Sequence, residues 1–75
     1  MERSKIENCE MICEVGYDKE KELLEVVFQS GEVFQFEDVP HNIFISFMTA
    51  PSHYNFYLEY IKSHYDYKIV HENEE

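Results

Sequence analysis

Apolar and polar residues alternate in three segments between residues 9 and 37, and the spacing then turns helical as far as about residue 65. From Cys9 to Tyr17 the odd positions are Cys, Met, Cys, Val and Tyr, with Glu10 and Glu14 between them and Ile12 as the one exception. Period-two alternation puts successive side chains on opposite faces of a strand, so residues 9–17 are predicted as strand one. The run Asp18-Lys-Glu-Lys-Glu22 lacks a strand former and makes the first connection. Leu24, Val26 and Phe28 alternate with Glu25, Val27 and Gln29 in strand two. Ser30-Gly31 is a tight-turn pair in which Gly supplies a positive φ. Strand three follows, with Phe34 and Phe36 on one face and Val33, Gln35 and Glu37 on the other.

Pro40 suits the first turn of a helix, where a missing N–H costs nothing. Ile43, Phe44, Phe47 and Met48 sit behind it at helical spacing. Helix one is therefore expected over about 40–49, ending at Ala50-Pro51 because the residue before proline resists helical geometry. Ser52 is a suitable N-cap for a second helix that carries Phe56, Tyr57, Tyr60, Ile61 and Tyr65 toward the sheet. Residues 67–70 alternate weakly and could add a small strand, and 71–75 read as a frayed acidic tail. The expected fold is α+β: a three-stranded antiparallel meander packed on one face by two C-terminal helices. It forms a single domain, 1–75, with an ordered core of about 9–70.

Charge narrows the partners. Sixteen acidic against six basic side chains give a net charge of −10, and the basic ones (Arg3, Lys5, Lys19, Lys21, Lys62, Lys68) are scattered. Nucleic-acid affinity comes largely from clustered cations that displace counterions, so direct nucleic-acid binding and an anionic membrane surface are both disfavoured. No stretch has the length of a membrane span and the first residues lack an apolar leader run, so a cytoplasmic location is expected. Two cysteines, Cys9 and Cys13, are too few for a disulfide framework and read as small apolar core residues.

Catalytic and metal chemistry find little support. His41, His53, His64 and His71 with the two cysteines offer zinc-type ligands, but no Cys-x-x-Cys or His-x3-His spacing exists, and no metal or other cofactor is expected. Glu37-Asp38 is the one adjacent carboxylate pair in a well-placed loop, and favourable charge ahead of a helix explains it. With Gly16 and Gly31 as the only glycines, a glycine-rich phosphate loop is excluded. The chain is expected not to be an enzyme.

The order Ile12, Val15-Gly16-Tyr17-Asp18, Leu24-x-Val26-x-Phe28, Gly31, Phe34-x-Phe36, Val39-Pro40, Phe44, Ala50-x-Ser52, Phe56-Tyr57, Ile61 and Tyr65 resembles the KTSC domain. That small domain stands alone in bacteria and their phages and is appended to the C-terminus of some lysyl-tRNA synthetases. The resemblance spans about residues 9–65 and implies a three-stranded sheet backed by two helices, with a suggestion of RNA binding. Four departures matter: Cys9 for the family's Ser, Phe34-x-Phe36 for its Tyr-x-Tyr pair, Tyr54 for the Gly after Ser52, and sparse basic residues in helix two. The lost hydroxyls and the bulky Tyr54 weaken the RNA reading and leave the fold intact.

If Phe34 and Phe36 lie under the helices, the other sheet face is left with Glu10, Glu14, Glu25, Val27, Gln29, Val33, Gln35 and Glu37. Six Tyr and six Phe cannot all be buried in 75 residues, and exposed tyrosine is enriched at interfaces. The expected function is a non-enzymatic binding module working by protein–protein contact, with a basic nucleic-acid-binding protein as one partner type and a phage-encoded inhibitor or accessory factor as one version. The candidate contact residues are Tyr17, Glu25, Val27, Glu37, His53, Tyr54, Tyr57 and Tyr60. Alternatives are an RNA-binding accessory domain and capture of a small nucleotide-like ligand in a cleft near Tyr17, His53 and Tyr54. Unpaired outer strands and surplus tyrosines also suggest a homodimer or higher homo-oligomer.

Overall fold

A computed structural model describes residues 2–7 and 9–71. Its sheet has five strands in the meander order β1 (Glu2–Lys5), β2 (Ile12–Asp18), β3 (Leu23–Phe28), β4 (Val33–Phe36) and β5 (Tyr67–His71), each antiparallel to the next. Between β4 and β5 come α1 (His41–Thr49) and α2 (His53–Phe56), which continues as a π-helical turn over Tyr57–Ile61. The three expected strands are β2, β3 and β4, and the sheet gains one strand on each side. β1, with the sequence Glu-Arg-Ser-Lys, carries no apolar alternation to reveal it. An outermost strand needs only one ladder, and β1 is fixed by pairing to β2 and by Ile6 directly after it, which is buried. The tail 72–75 lies outside the described residues, while His71, grouped with it above, is the last residue of β5.

The Ile12 exception has a physical cause. The ladder between β2 and β3 pairs Ile12 with Phe28 and then Glu14 with Val27, so Cys13 is an extra residue that reverses the alternation. Ile12 consequently faces the core with Val15 and Tyr17, while Met11 is exposed. The strand starts at residue 12 rather than 9. Cys9 and Cys13 are both half-buried, and Cys9 packs against the edge of the core. The Cys9 sulfur accepts the Ile12 N–H at 3.4 Å, and the Cys13 thiol donates to the Phe28 carbonyl at 3.8 Å.

Both helices begin and end for local reasons. Pro40 is the N-cap of α1 in extended geometry rather than its first helical residue, and Ala50 leaves the helix extended, as the following proline requires. The Ser52 side chain accepts the Asn55 N–H at 3.3 Å and starts α2. The wider turn closed by the Lys62 N–H on the Tyr57 carbonyl, at 2.8 Å, ends at Ile61 and does not reach Tyr65. Tyr57 and Ile61 are buried toward the sheet, while Tyr60, expected to face it, is 52% exposed.

The core lies between the helices and the inner sheet face, where Leu24, Val26 and Phe36 meet Phe44, Phe47, Tyr57 and Ile61. Tyr17 links the two layers. Its ring stacks on Phe44 at 4.7 Å, and its hydroxyl donates to the Val39 carbonyl at 2.6 Å, just ahead of α1. Val39 in turn donates its N–H to the Glu22 carbonyl at 2.9 Å. Glu22 and Asp38, the residues beside this bond, both have positive φ, at 52° and 59°. Replacing Tyr17 by Phe keeps the stack and orphans the Val39 carbonyl, so stability should fall by about 1–2 kcal/mol, read as a lower urea midpoint with unchanged slope.

Candidate functional site

The polar sheet face is built from two rows of residues that run across the strands. One row is Arg3, Gly16, Glu25, Gln35 and Lys68; the next contains Lys5, Glu14, Val27 and Val33. Arg3 reaches along the first row over Gly16 to Glu25, and its other nitrogen lies 3.1 Å from Glu14. Gln35 donates to the second Glu25 oxygen at 3.1 Å. Glu25 is buried, and these partners satisfy it. The hydrogen bond that Arg3 donates to Glu25, with the Glu14 contact, raises the Arg3 pKa further above its already high value despite partial desolvation.

Gly16 earns its place by size, since a side chain there would stand in the path of the Arg3 guanidinium. The expectation of an acidic face is therefore corrected: Arg3 and Lys5 come from β1, which the alternation did not reveal, Lys68 comes from β5, which it marked only weakly, and the face is mixed in charge. Gly16→Val should lower stability by about 1 kcal/mol, although strand propensity alone favours valine, because it separates Arg3 from a buried carboxylate. A thermal or urea melt decides the sign.

Aromatic rings occupy the opposite face. Phe28, Phe34, Phe36 and Tyr57 form a connected cluster with edge and stacked contacts at 5.3–6.4 Å. Tyr67 of β5 extends it, 5.2 Å from both Phe34 and Phe36. Tyr54 stacks on Tyr57 at 6.1 Å. Burial, helped by Tyr67, Tyr54 and Glu32, pushes the Tyr57 phenol up to about 12. Burial also raises Tyr17, with Glu22 and Asp18 adding to it.

The sign of the pH effect follows from these raised values. Above about pH 10 the unfolded phenol loses its proton while the folded Tyr57 keeps it, so the stabilisation present at lower pH is lost as pH rises toward 12, at about 1.4 kcal/mol per unit. Tyr57→Phe should flatten this alkaline limb in urea melts, and an unchanged slope would show that the phenol is not desolvated.

The remaining surface of note is on the helices. Tyr60 stands between two shallow depressions of about 310 Å³ each. One is lined by Ala50, Pro51, Ser52, Asn55, Phe56 and Glu59, the other by Ile43, His64 and Tyr65. The Tyr60 ring rests against Phe56 at 4.7 Å. Ile45, on α1, is also exposed.

The eight candidate residues thus fall in different places. Glu25 and Val27 lie on the polar face, Glu25 inside its ion pair and Val27 half-buried beside Glu14 and Val33. Glu37 is exposed at the end of β4, where its N–H donates to the Asp66 carbonyl at 3.0 Å. Tyr17 and Tyr57 are buried, so no ligand reaches their rings from solvent. His53 joins the helices, with Nδ1 3.0 Å from the Phe47 carbonyl. Tyr54 is half-buried against Tyr57, leaving Tyr60 as the exposed tyrosine of the group. Near the expected cleft, Tyr17 packs on Phe44, His53 on Phe47 and Tyr54 on Tyr57. Arg3, Lys68, Ile43 and His64 were not among the candidates; strand pairing and the helix junction bring them into view. Among the described residues, no three His, Cys, Asp or Glu side chains gather as a metal site, and no helix is long and apolar enough to cross a membrane.

Comparison with known proteins agrees with this architecture. The KTSC domain family matches residues 8–65. The crystal structure of a KTSC domain protein from Yersinia pestis superposes with a TM-score of 0.85 at 27% identity, covering 93% of this chain and 97% of that one. No curated protein matches the sequence. A sheet with two helices on one face, matched over most of its length, places the chain in the KTSC domain family.

Proposed function

We propose that this KTSC domain is a non-enzymatic module of the cytoplasm that binds a folded protein partner through the helix face centred on Tyr60. The observation that carries the reading is Tyr60 itself: a half-exposed ring, braced by Phe56, between two depressions that a partner's side chains can fill. A rigid aromatic ridge offers contact area at low entropic cost. The net charge of −10 favours a partner with a basic surface, such as a protein that itself handles nucleic acid, and makes association faster at low salt. An inhibitor or accessory factor directed at such a protein fits this chemistry.

RNA binding is the weaker reading because its two requirements sit apart. Stacking rings belong to the helix side of the sheet, whereas Arg3, Lys5 and Lys68 belong to the other side, and Arg3 is already engaged by two carboxylates. Affinity capture with wild type and Tyr60→Ala, at low and high salt, tests the proposal. The expected result is one protein retained by wild type, reduced by salt and lost with Tyr60→Ala. Retention unchanged by Tyr60→Ala, or an RNA shift at about 50 mM salt in place of protein capture, would overturn it.

A further inference from the structure

The two outer strands of the sheet are not equivalent. β1 has the charged sequence Glu-Arg-Ser-Lys, and Arg3 is fastened inward over β2; charges of this kind blunt a strand edge against pairing. β5 has the sequence Tyr-Lys-Ile-Val-His, and its outward edge has no strand partner among the described residues. Tyr67, Ile69 and Val70 are each more than two-fifths exposed. The register shift beside Val33 bends the end of β5 and leaves Tyr67, Lys68 and Ile69 in regular pairing with Phe36, Gln35 and Phe34.

Pairing also sets which way these side chains point. Tyr67 and Ile69 share the helix-side face with Phe36 and Phe34, yet they remain exposed there while Phe36 is buried. Phe34, Tyr67 and Ile69 form an apolar shelf beside a free backbone edge, and Tyr67 stacks on Phe34 at 5.2 Å. An added strand would satisfy both features, its amides on the edge and its alternate apolar side chains on the shelf. Charge selects the occupant. Asp66 precedes β5, Glu72, Glu74 and Glu75 follow it in sequence, and a second copy carries the same net charge of −10.

From this edge, shelf and charge we infer that β5 accepts an extended segment of another protein as a sixth strand, with apolar residues at alternate positions and lysine or arginine at its ends. This surface is separate from Tyr60 and does not depend on it.

The test uses the full chain and a synthetic peptide, Lys-Lys-Val-Thr-Val-Thr-Val-Lys-Lys. Three companions complete the set: one with every Lys replaced by Glu, and two N-methylated on one or the other alternate set of amides. Amide exchange and chemical shifts are followed by NMR. The lysine peptide should bind below about 1 mM and protect backbone amides of residues 67–71. Affinity should fall at least about tenfold for the Glu peptide and for one of the two methylated peptides only. Tyr60→Ala should leave binding unchanged, and Tyr67→Ala with Ile69→Ala should weaken it. Absence of protection in β5, equal binding of the Glu peptide, or concentration-dependent protection of β5 without peptide, which marks pairing with a second copy, would overturn the inference.

Discussion

Tyr17 is the joint on which the arrangement turns. Its ring stacks on Phe44 of α1 and its hydroxyl holds the Val39 carbonyl, so one side chain on β2 fixes where the chain leaves the sheet and how the first helix lies on it. A buried hydroxyl without a partner costs about 1–3 kcal/mol, so the bond leaves the Val39 segment little freedom of position. Helix packing over the sheet then decides which aromatic residues become core. Phe36, Phe47 and Tyr57 are buried beneath or within the helices, whereas Tyr60 and Tyr67 lie where coverage ends.

This one-sided packing separates the molecule's chemistry. Rings gather on the helix side and charges on the bare side, where Arg3, Glu14, Glu25 and Gln35 satisfy one another. Hydrogen-bonded charges on the bare face are poor hosts for a polyanion, since Arg3 would have to leave a buried carboxylate to meet a phosphate. Among the described residues, large apolar side chains are exposed at Met11 and Ile45, at Tyr60 and along β5, and the two proposed contact surfaces are the last two.

Much of this was legible in the sequence. Alternation located β2, β3 and β4, Gly31 at a φ of 100° marked the turn between the last two, and Pro51 with Ser52 divided the helices correctly. The misplaced start of β2 came from counting parity through Cys13, whose extra position is set by pairing with β3 and shows in the sequence only as the Ile12 exception. β1 was invisible because its sequence is chosen for an exposed edge rather than for a core face. The same omission distorted the surface: without β1, Glu14 and Glu25 read as a bare acidic patch, when Arg3 lies across them. Tyr60 was expected to face the sheet and is instead exposed, because regular helical spacing was assumed where the backbone widens into a π turn.

Helix coverage of the sheet sorts the tyrosines into joint and surface. Photochemically induced nuclear polarisation of the tyrosine rings by a soluble flavin dye measures this directly. Strong signals from Tyr60 and Tyr67, which are 52% and 46% exposed, and none from Tyr17 and Tyr57, at 2% and 3%, are the predicted result. Polarisation of Tyr17 or Tyr57 in the folded protein would contradict the account.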